Sequence, residues 1–211
     1  MFEHFPFIAI TIALAALTMA PGLDTVLVLR NSSRGGFADG LLTSLGICCG
    51  LFVHAIISAM GLSVLLLQSA YLFALLKFAG ALFLIYLACQ SLLAAWHGQG
   101  LVITQEKGRS LHVGRSVREG ILSNVLNPKP ILFYMMFLPQ FIDPAHSALV
   151  QSIAVAALHF ILGMIWLGAL AFMVNGARRF LARPMAARGL NIMTGGLLLF
   201  FGLELVLFER N

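Results

Sequence analysis

The sequence predicts an all-α integral membrane protein whose six transmembrane helices form two inverted three-helix repeats, with broken helices one and four. The composition, the alternation of charge between loops, and two polar interruptions at matching places in the two halves support this prediction. Of the 211 residues, 60% are hydrophobic and 10% are charged, whereas soluble domains carry about 25% charged residues. With a mean hydropathy of +0.97, most of the chain is expected to lie in lipid.

Six apolar segments are long enough to cross a bilayer. A hydrocarbon core about 30 Å thick requires about 20 apolar residues per helix. The segments are apolar on all sides, which favours helices over the alternating strands of a barrel. The predicted spans are Phe5–Leu29, Leu41–Leu67, Leu72–Ala95, Gly120–Ile142, Leu149–Val174 and Leu190–Phe208. Little of the chain is left for a soluble domain.

Basic residues are concentrated in alternate connections. Ten of the 13 lysines and arginines fall on one side of the six-span arrangement. They are Arg30, Arg34, Lys107, Arg109, Arg115, Arg118, Arg178, Arg179, Arg183 and Arg188. By the positive-inside rule this side is cytoplasmic, so both termini face outward. The pI of about 9.6 therefore reflects membrane topology, and nucleic acid is not expected as a partner.

The second half of the sequence repeats features of the first. Pro21 in the first span corresponds to Pro128 in the fourth, and His54 in the second span to His159 in the fifth. A three-span unit that occurs twice must be inserted in opposite orientations, which is a recurrent plan of transporters with paired broken helices. The predicted division is repeat one (1–97), a cytoplasmic linker (98–118) and repeat two (119–211).

Two charged residues lie inside predicted spans, next to the interruptions. Asp24 follows Pro21 and Gly22, and Lys129 follows Pro128. A charge at the centre of a spanning helix costs at least ~2.5 kcal/mol, so it usually faces a partner or a watery cavity. We predict that the two charges pair, or exchange partners, where spans one and four cross. The structural alternatives are helix capping by Asp24 and snorkelling of Lys129 to the headgroups.

The interruptions also free polar backbone groups. Pro21 removes a helical hydrogen bond, Gly22 allows a bend, and Asn124, Asn127 and the following prolines act in the same way in span four. Freed amides suit a carboxylate and freed carbonyls suit an ammonium group, and an amino acid carries both. A kink tolerated for packing is the alternative. The predicted substrate-binding residues are Pro21, Gly22, Asp24, Asn124, Asn127, Pro128 and Lys129.

His54 and His159 are candidates for proton coupling, together with Asp24. Imidazole titrates near pH 6.5 and can relay protons, although a hydrogen-bonded packing role is an equal alternative for each histidine. Glycine spacing at Gly36…Gly40 and Gly46…Gly50 predicts close helix contacts, within one chain or between protomers. The sequence therefore leaves open whether the protein forms a homo-oligomer.

A metal-ion exporter is the main alternative function. Asp24, Cys48, Met135 and Met136 are candidate ligands, but a metal site needs several convergent ligands of matched softness, and these are scattered. The cysteines, all within spans, are expected to be packing residues. A thiol–disulfide carrier lacks cysteines at the breaks, and an intramembrane hydrolase lacks an activated nucleophile. No catalytic residue, metal or cofactor is predicted.

With these residues, the chain resembles the lysine exporter / threonine–homoserine efflux family of bacterial inner-membrane transporters. The matching stretches are "PGLDTVLVLRNSSRGG", "GLLTSLGICCGL", "LKFAGALFLIYLACQSL" and "GILSNVLNPKPILFYMMFLPQFIDP". The last is the most specific, because it joins an Asn-Pro-Lys block to a Leu-Pro-Gln-Phe ending. The chain has Leu23 where the family usually has the second proline of Pro-Gly-Pro.

The resemblance implies export of amino acids or close derivatives from the cytoplasm, driven by the proton motive force. It implies a multi-pass protein of the inner membrane with an amino acid and protons as its small-molecule partners. Neutral substrates such as leucine, threonine or homoserine are expected, since no further acidic residue is predicted near Asp24. By motif, the substrate path maps onto Pro21, Gly22, Asp24, Asn127, Pro128 and Lys129.

Overall fold

The computed structural model describes residues 7–68, 70–97, 112–173 and 184–207. Within these ranges the chain is helical and contains no strand, in agreement with the predicted all-α class. The helices are α1 (Phe7–Met19), α2 (Leu23–Gln68), α3 (Ala70–Trp96), α4 (Val113–Val125), α5 (Pro128–Leu132), α6 (Ala148–Phe172) and α7 (Pro184–Leu207). A π-helical turn (Phe133–Phe137) and a 3₁₀ turn (Leu138–Phe141) continue α5.

Long apolar helices support the membrane class. By length and composition, α2 from Leu23 to Gly61 and the whole of α6 are able to cross a bilayer. A third span results if α4 and Pro128–Phe141 are taken together across their bend of 48°. Three further apolar segments of the described chain are shorter, namely α1, Ala81–Trp96 and Arg188–Leu203. The count of six spans remains a prediction.

The first predicted break separates α1 from α2. α1 ends at Met19 and α2 begins at Leu23, so Ala20, Pro21 and Gly22 form the connection. Proline lacks an N–H group and its ring clashes with the preceding turn. A continuous helix therefore does not pass through this point, and polar backbone atoms are left without helical partners.

α2 is itself divided by a glycine pair. Gly35 and Gly36 leave helical geometry, and Gly36 has a φ of 77°, which glycine adopts without steric penalty because it has no Cβ. The kink falls between the first and second predicted spans. We call residues 23–34 the short arm of α2 and residues 37–68 its long arm.

The second predicted break separates α4 from α5. Leu126 and Asn127 form the connection, and the Asn127 side chain accepts a hydrogen bond from the backbone N–H of Lys129 at 3.1 Å. Asn127 thereby caps α5. Pro128 occupies the first turn of α5, where a missing N–H group is tolerated. These residues give the break a defined shape.

α4 begins within the segment predicted as a linker. Residues 98–118 are predicted as the cytoplasmic linker, and the helix starts within them at Val113. An ion pair between Arg115 Nε and Glu119 Oε1 at 2.6 Å, one turn apart, stabilises this start. Other positions of the predicted linker and basic loops lie outside the described residues, namely 98–111 with Lys107 and Arg109, and Arg178, Arg179 and Arg183.

Glycines allow the long arm of α2 to pack closely against α4. A Cβ at Gly46 would lie 2.2 Å from the carbonyl oxygen of Val117, and a Cβ at Gly120 would lie 2.3 Å from that of Thr43. Both distances are too short for any side chain. The Gly46…Gly50 spacing therefore serves a helix contact within one chain, which answers the question that the sequence left open for this pair.

Aromatic side chains pack around the π-helical turn. Phe133, Tyr134 and Phe137 are buried, and the ring centroids of Phe133 and Phe137 are 4.8 Å apart. The ring centroid of Phe137 also lies 4.7 Å from that of Phe141 and 6.4 Å from that of Phe201 in α7. The chain beyond the second break is thus closely packed, whereas the break itself lies next to two cavities.

Candidate functional site

The carboxylate of Asp24 connects the two breaks. Asp24 lies in the first turn of α2, directly after the first break. Its Oδ1 accepts a hydrogen bond from Ser123 Oγ at 3.0 Å, and its Oδ2 accepts from the side-chain amides of Asn124 and Asn127, each at 3.2 Å. All three donors belong to the second break or to the last turn of α4. Neutral donors therefore hold this carboxylate.

Lys129 makes the reverse connection. It lies in the first turn of α5, directly after the second break, and its Nζ donates a hydrogen bond to the carbonyl oxygen of Ala20 at 2.8 Å. That carbonyl belongs to the first break, where helical hydrogen bonding stops at Pro21. A charged side chain next to each break thus binds neutral polar groups at the other break.

Asp24 and Lys129 lie in the described chain and do not form a direct ion pair there. The sequence predicts that the two charges either pair or exchange partners. The structure does not have the direct pair, because each charge binds neutral groups at the opposite break. The structural alternatives are not observed among the described contacts either. Asp24 binds residues of α4 and its break, and Lys129 reaches inward to Ala20.

A small cavity of about 50 Å³ lies between the breaks, the long arm of α2 and α6. Several predicted site residues line it, namely Gly22, Asp24, Asn124, Asn127, Lys129 and His159. Apolar side chains such as Leu17, Ile47 and Leu167 complete its wall. A carboxylate and an ammonium group thus border one partly apolar space.

A second, larger cavity of about 710 Å³ lies between the breaks, α3 and α7. Pro21 and Pro128 line this cavity rather than the first. Gly22, Asn127 and Lys129 line both. The two breaks therefore form the partition between the cavities, with Lys129 at the boundary.

The two histidines bind polar groups of the chain around the second break. His54 Nε2 lies 3.1 Å from the carbonyl oxygen of Asn124, near the end of α4. His159 Nδ1 lies 3.2 Å from the hydroxyl oxygen of Tyr134, and the two rings are stacked with centroids 5.9 Å apart. His159 also lines the first cavity, whereas His54 is not among the residues lining either one. Their role in proton coupling remains a prediction.

The candidate metal ligands do not converge in the described part of the chain. Cys48 and Asp24 line the first cavity, while Met135 is exposed at the π-helical turn. Among residues 7–68, 70–97, 112–173 and 184–207, no three histidine, cysteine or acidic side chains come together. All three cysteines, each of them described, are free thiols.

A buried ion-pair cluster, which the sequence did not predict, ties the kink of α2 to α4. Arg34, at the end of the short arm, donates two hydrogen bonds of 2.8 Å to the carboxylate of Asp39 in the long arm. It also binds Glu119 of α4 at 3.1 Å. Arg34 and Asp39 are 6% and 0% exposed, respectively. Ser116 of α4 donates to Asp39 as well.

Glu119 gathers cationic and neutral donors from both sides of the kink. Arg115 and Asn31 donate to it at 2.6 and 2.9 Å, and Arg30 lies at 3.3 Å. Burial raises the pKa of Glu119, but the hydrogen bonds from Arg115 and Asn31 and the charge of Arg34 outweigh it and lower the pKa to about 2. The hydrogen bond with Asp39 outweighs burial and raises the pKa of Arg34. Glu119 and Arg34 are therefore both charged at neutral pH.

The sequence contains a pattern that indicates this cluster, but counting the charged residues in each connection does not reveal it. Positive-inside reasoning treats Arg34 as a topological marker, and Asp39 falls where a loop is expected. The informative pattern is the glycine pair between them. A Cβ at Gly35 would lie 2.6 Å from Asp39 Oδ2, so glycine is needed for the chain to fold back and bring the two charges together.

Comparison with known proteins identifies similar chains over most of this sequence. The profile of the LysE type translocator family matches residues 15–208. An uncharacterized membrane protein of Bacillus subtilis, YrhP, is 32% identical over 90% of this chain and 93% of its own length. The homoserine/homoserine lactone efflux protein of Salmonella typhimurium is 26% identical over 88% of each chain. No solved structure is significantly similar to the chain.

The cluster predicts a specific dependence of stability on pH. The pKa of Glu119 is about 2 in the fold and 4.5 for an ordinary glutamate. Its stabilising contribution is therefore complete above pH ~4.5 and is lost as the pH falls towards ~2, with an upper limit on the order of 3 kcal/mol. Glu119→Gln should lower the thermal unfolding temperature in detergent at pH 7, and the difference from wild type should shrink between pH ~4.5 and ~2.

Glu119→Asp, which keeps the carboxylate, is the control and should retain the pH dependence. A Glu119→Gln deficit of the same size at pH 3 and at pH 7 would contradict the assignment of this carboxylate to the cluster.

Proposed function

Because the chain belongs to the LysE type translocator family, we propose that it is a secondary transporter that exports neutral amino acids from the cytoplasm, driven by the proton motive force. Leucine, threonine and homoserine are the expected kinds of substrate. A translocator moves its substrate and is not an enzyme. The homoserine/homoserine lactone efflux protein of Salmonella typhimurium, a relative over most of its length, supports the choice of substrate class.

The exchange of charged side chains between the breaks carries the proposal. An amino acid has an ammonium group and a carboxylate, separated by one carbon atom. Asp24 offers its carboxylate to the ammonium group, and Lys129, which has three donors and uses one on Ala20, offers the others to the carboxylate. Both residues line the first cavity, whose apolar wall suits an uncharged side chain.

The proposed topology has six spans in two inverted repeats. α1 with the short arm of α2 forms the first span, the long arm the second, and α3 the third. α4 with Pro128–Phe141 forms the fourth span, α6 the fifth and α7 the sixth. Two breaks at corresponding spans support this scheme. The ion-pair cluster then lies at the cytoplasmic end and both termini face the periplasm, as the positive-inside rule expects.

In this topology the described conformation is open towards the cytoplasm. The second cavity runs along α3 as far as His97, at the cytoplasmic end of that helix. On the other side of Lys129, the buried aromatic side chains of Phe133–Phe137 close the route to the periplasm. Export therefore requires this segment to move, and π-helical turns are frequent at functional sites.

Proton coupling is proposed to involve Asp24 and the two histidines. Asp24 is held by neutral donors, so a proton and a substrate ammonium group are able to compete for the same carboxylate. His159, bound to Tyr134 beside the first cavity, and His54, bound to the end of α4, are positioned next to the moving parts of this scheme.

Removal of the ammonium group tests the substrate site. Lys129→Ala should reduce amino-acid export at least tenfold, because losing a desolvated charge partner costs about 2–5 kcal/mol. Cells that lack their own exporters are loaded with dipeptides of leucine or threonine, and the freed amino acid retained inside is measured with membrane abundance as a reference. Arg118→Ala, which removes an exposed positive charge outside the cavities, should export normally. Full export by the Lys129→Ala variant at normal abundance would mean that the lysine only anchors its helix and does not bind substrate.

Neutralising the carboxylate tests the coupling. Asp24→Asn keeps the size of the side chain but removes its ability to exchange a proton. In proteoliposomes, the variant should lose substrate movement driven by a pH gradient and lose its pH dependence. Ser123→Ala, which removes one hydrogen bond from Asp24 and leaves the charge, is the matched control. An unchanged pH profile in Asp24→Asn would exclude this residue from the proton path.

A further inference from the structure

The second cavity holds a buried amide that the scheme above does not use. Asn191 of α7 lines this cavity and is 6% exposed. Its side chain makes no hydrogen bond to the residues that the structure describes. The amide of Asn127, at the same cavity, is by contrast engaged by both Lys129 and Asp24. Because buried polar side chains are nearly always hydrogen-bonded, an unpartnered amide on a cavity wall indicates a group to be supplied by a ligand.

The packing of α7 on α3 gives the level of Asn191 in the cavity. A Cβ at Gly195 would lie 2.8 Å from Leu92, and one at Gly202 would lie 2.9 Å from Ile85. Residue numbers thus rise along α7 as they fall along α3. Asn191, one turn before Gly195, therefore lies level with the last turns of α3, nearer to the His97 end of the cavity than to the helix breaks.

The cavity is too long for one amino acid to fill. Its lining on α3 runs from Phe83 to His97, which is about 21 Å at the helical rise. On α7 it includes Asn191 and Leu198, about 10 Å apart on the same basis. A substrate that enters from the His97 end therefore meets Asn191 before it reaches Lys129.

The surroundings of Asn191 define the chemistry of a ligand. The cavity wall at the last turns of α3 is formed by Ser91, Leu93, Ala94 and His97, and none of the described residues that line the cavity is acidic. Gln90 donates to the hydroxyl of Tyr86 at 2.5 Å, so its amide nitrogen is already engaged. A neutral amide in a wall without acidic side chains suits an uncharged group that both donates and accepts a hydrogen bond. A hydroxyl group has this property, and a hydrocarbon side chain does not.

We propose that the cavity between α3 and α7 is an entry site at which Asn191 selects neutral amino acids with a hydroxyl-bearing side chain over purely aliphatic ones. This inference rests on the proposed export of neutral amino acids and adds a second binding position to the site at the breaks. The side chain of an aliphatic substrate offers the buried amide no partner, whereas the hydroxyl group of a hydroxylated substrate satisfies it.

The test compares threonine with leucine in inside-out membrane vesicles, where export appears as uptake. Asn191→Leu should raise the KM for threonine roughly tenfold and leave the KM for leucine unchanged or lower, with the maximal rates retained. Met193→Leu, on an exposed position of the same helix, is the matched control. Asn191→Ser keeps a hydrogen-bonding group and should restore the preference for threonine. If the Asn191→Leu variant fails to accumulate in the membrane, the Asn191→Ser variant still allows the preference to be measured.

The outcomes separate the entry site from the transport function. Wild-type vesicles that take up both amino acids, together with an Asn191→Leu variant whose threonine-to-leucine ratio is unchanged, would overturn the entry site and leave the exporter intact. An equal rise in both KM values would also overturn it, because Asn191 would then be structural. Wild-type vesicles that take up neither amino acid would contradict the proposed function, and the entry site with it.

Discussion

The structure depends on a reciprocal exchange between two interrupted helices. Asp24, after the first break, is held by three neutral donors at the second, and Lys129, after the second break, is held by a carbonyl of the first. Charges and freed backbone groups in an apolar interior are stable only when they find partners. Each break thus supplies partners for polar groups at the other. In the proposed function, a substrate with both charges would take over part of this exchange.

The two sides of this crossing are held by different kinds of interaction. At one end, the Arg34–Asp39–Glu119 cluster and the glycine contacts fasten the kink of α2 and its long arm to α4. At the other end, aromatic packing around the π-helical turn closes the core. Ion pairs that are largely desolvated need fixed geometry, whereas aromatic side chains repack more readily. In the proposed transport cycle, the end with the ion pairs would stay fixed and the end with the aromatic side chains would move.

Much of this arrangement could be predicted from the sequence, and the reasons for the rest are physical. Apolar length predicts the helices, and Pro21 and Pro128 predict the breaks, because proline acts locally. The partner of each charge depends on how two distant helices cross, so the neutral donors of Asp24 were not predictable from spacing. The Arg34–Asp39 pair requires the positive φ of Gly36, which a sequence permits but does not reveal. Asn191 reads as one polar residue in an apolar span until the cavity beside it is seen.

The most direct test of the central claim asks whether the site at the breaks requires both charges of its substrate. In inside-out vesicles, uptake of labelled leucine is measured in competition with unlabelled leucine, with 4-methylpentanoic acid, which lacks the ammonium group, and with 3-methylbutylamine, which lacks the carboxylate. The reciprocal arrangement of Asp24 and Lys129 predicts that only leucine competes. If either analogue competes as well as leucine does, the two charges are not the poles of a zwitterion site.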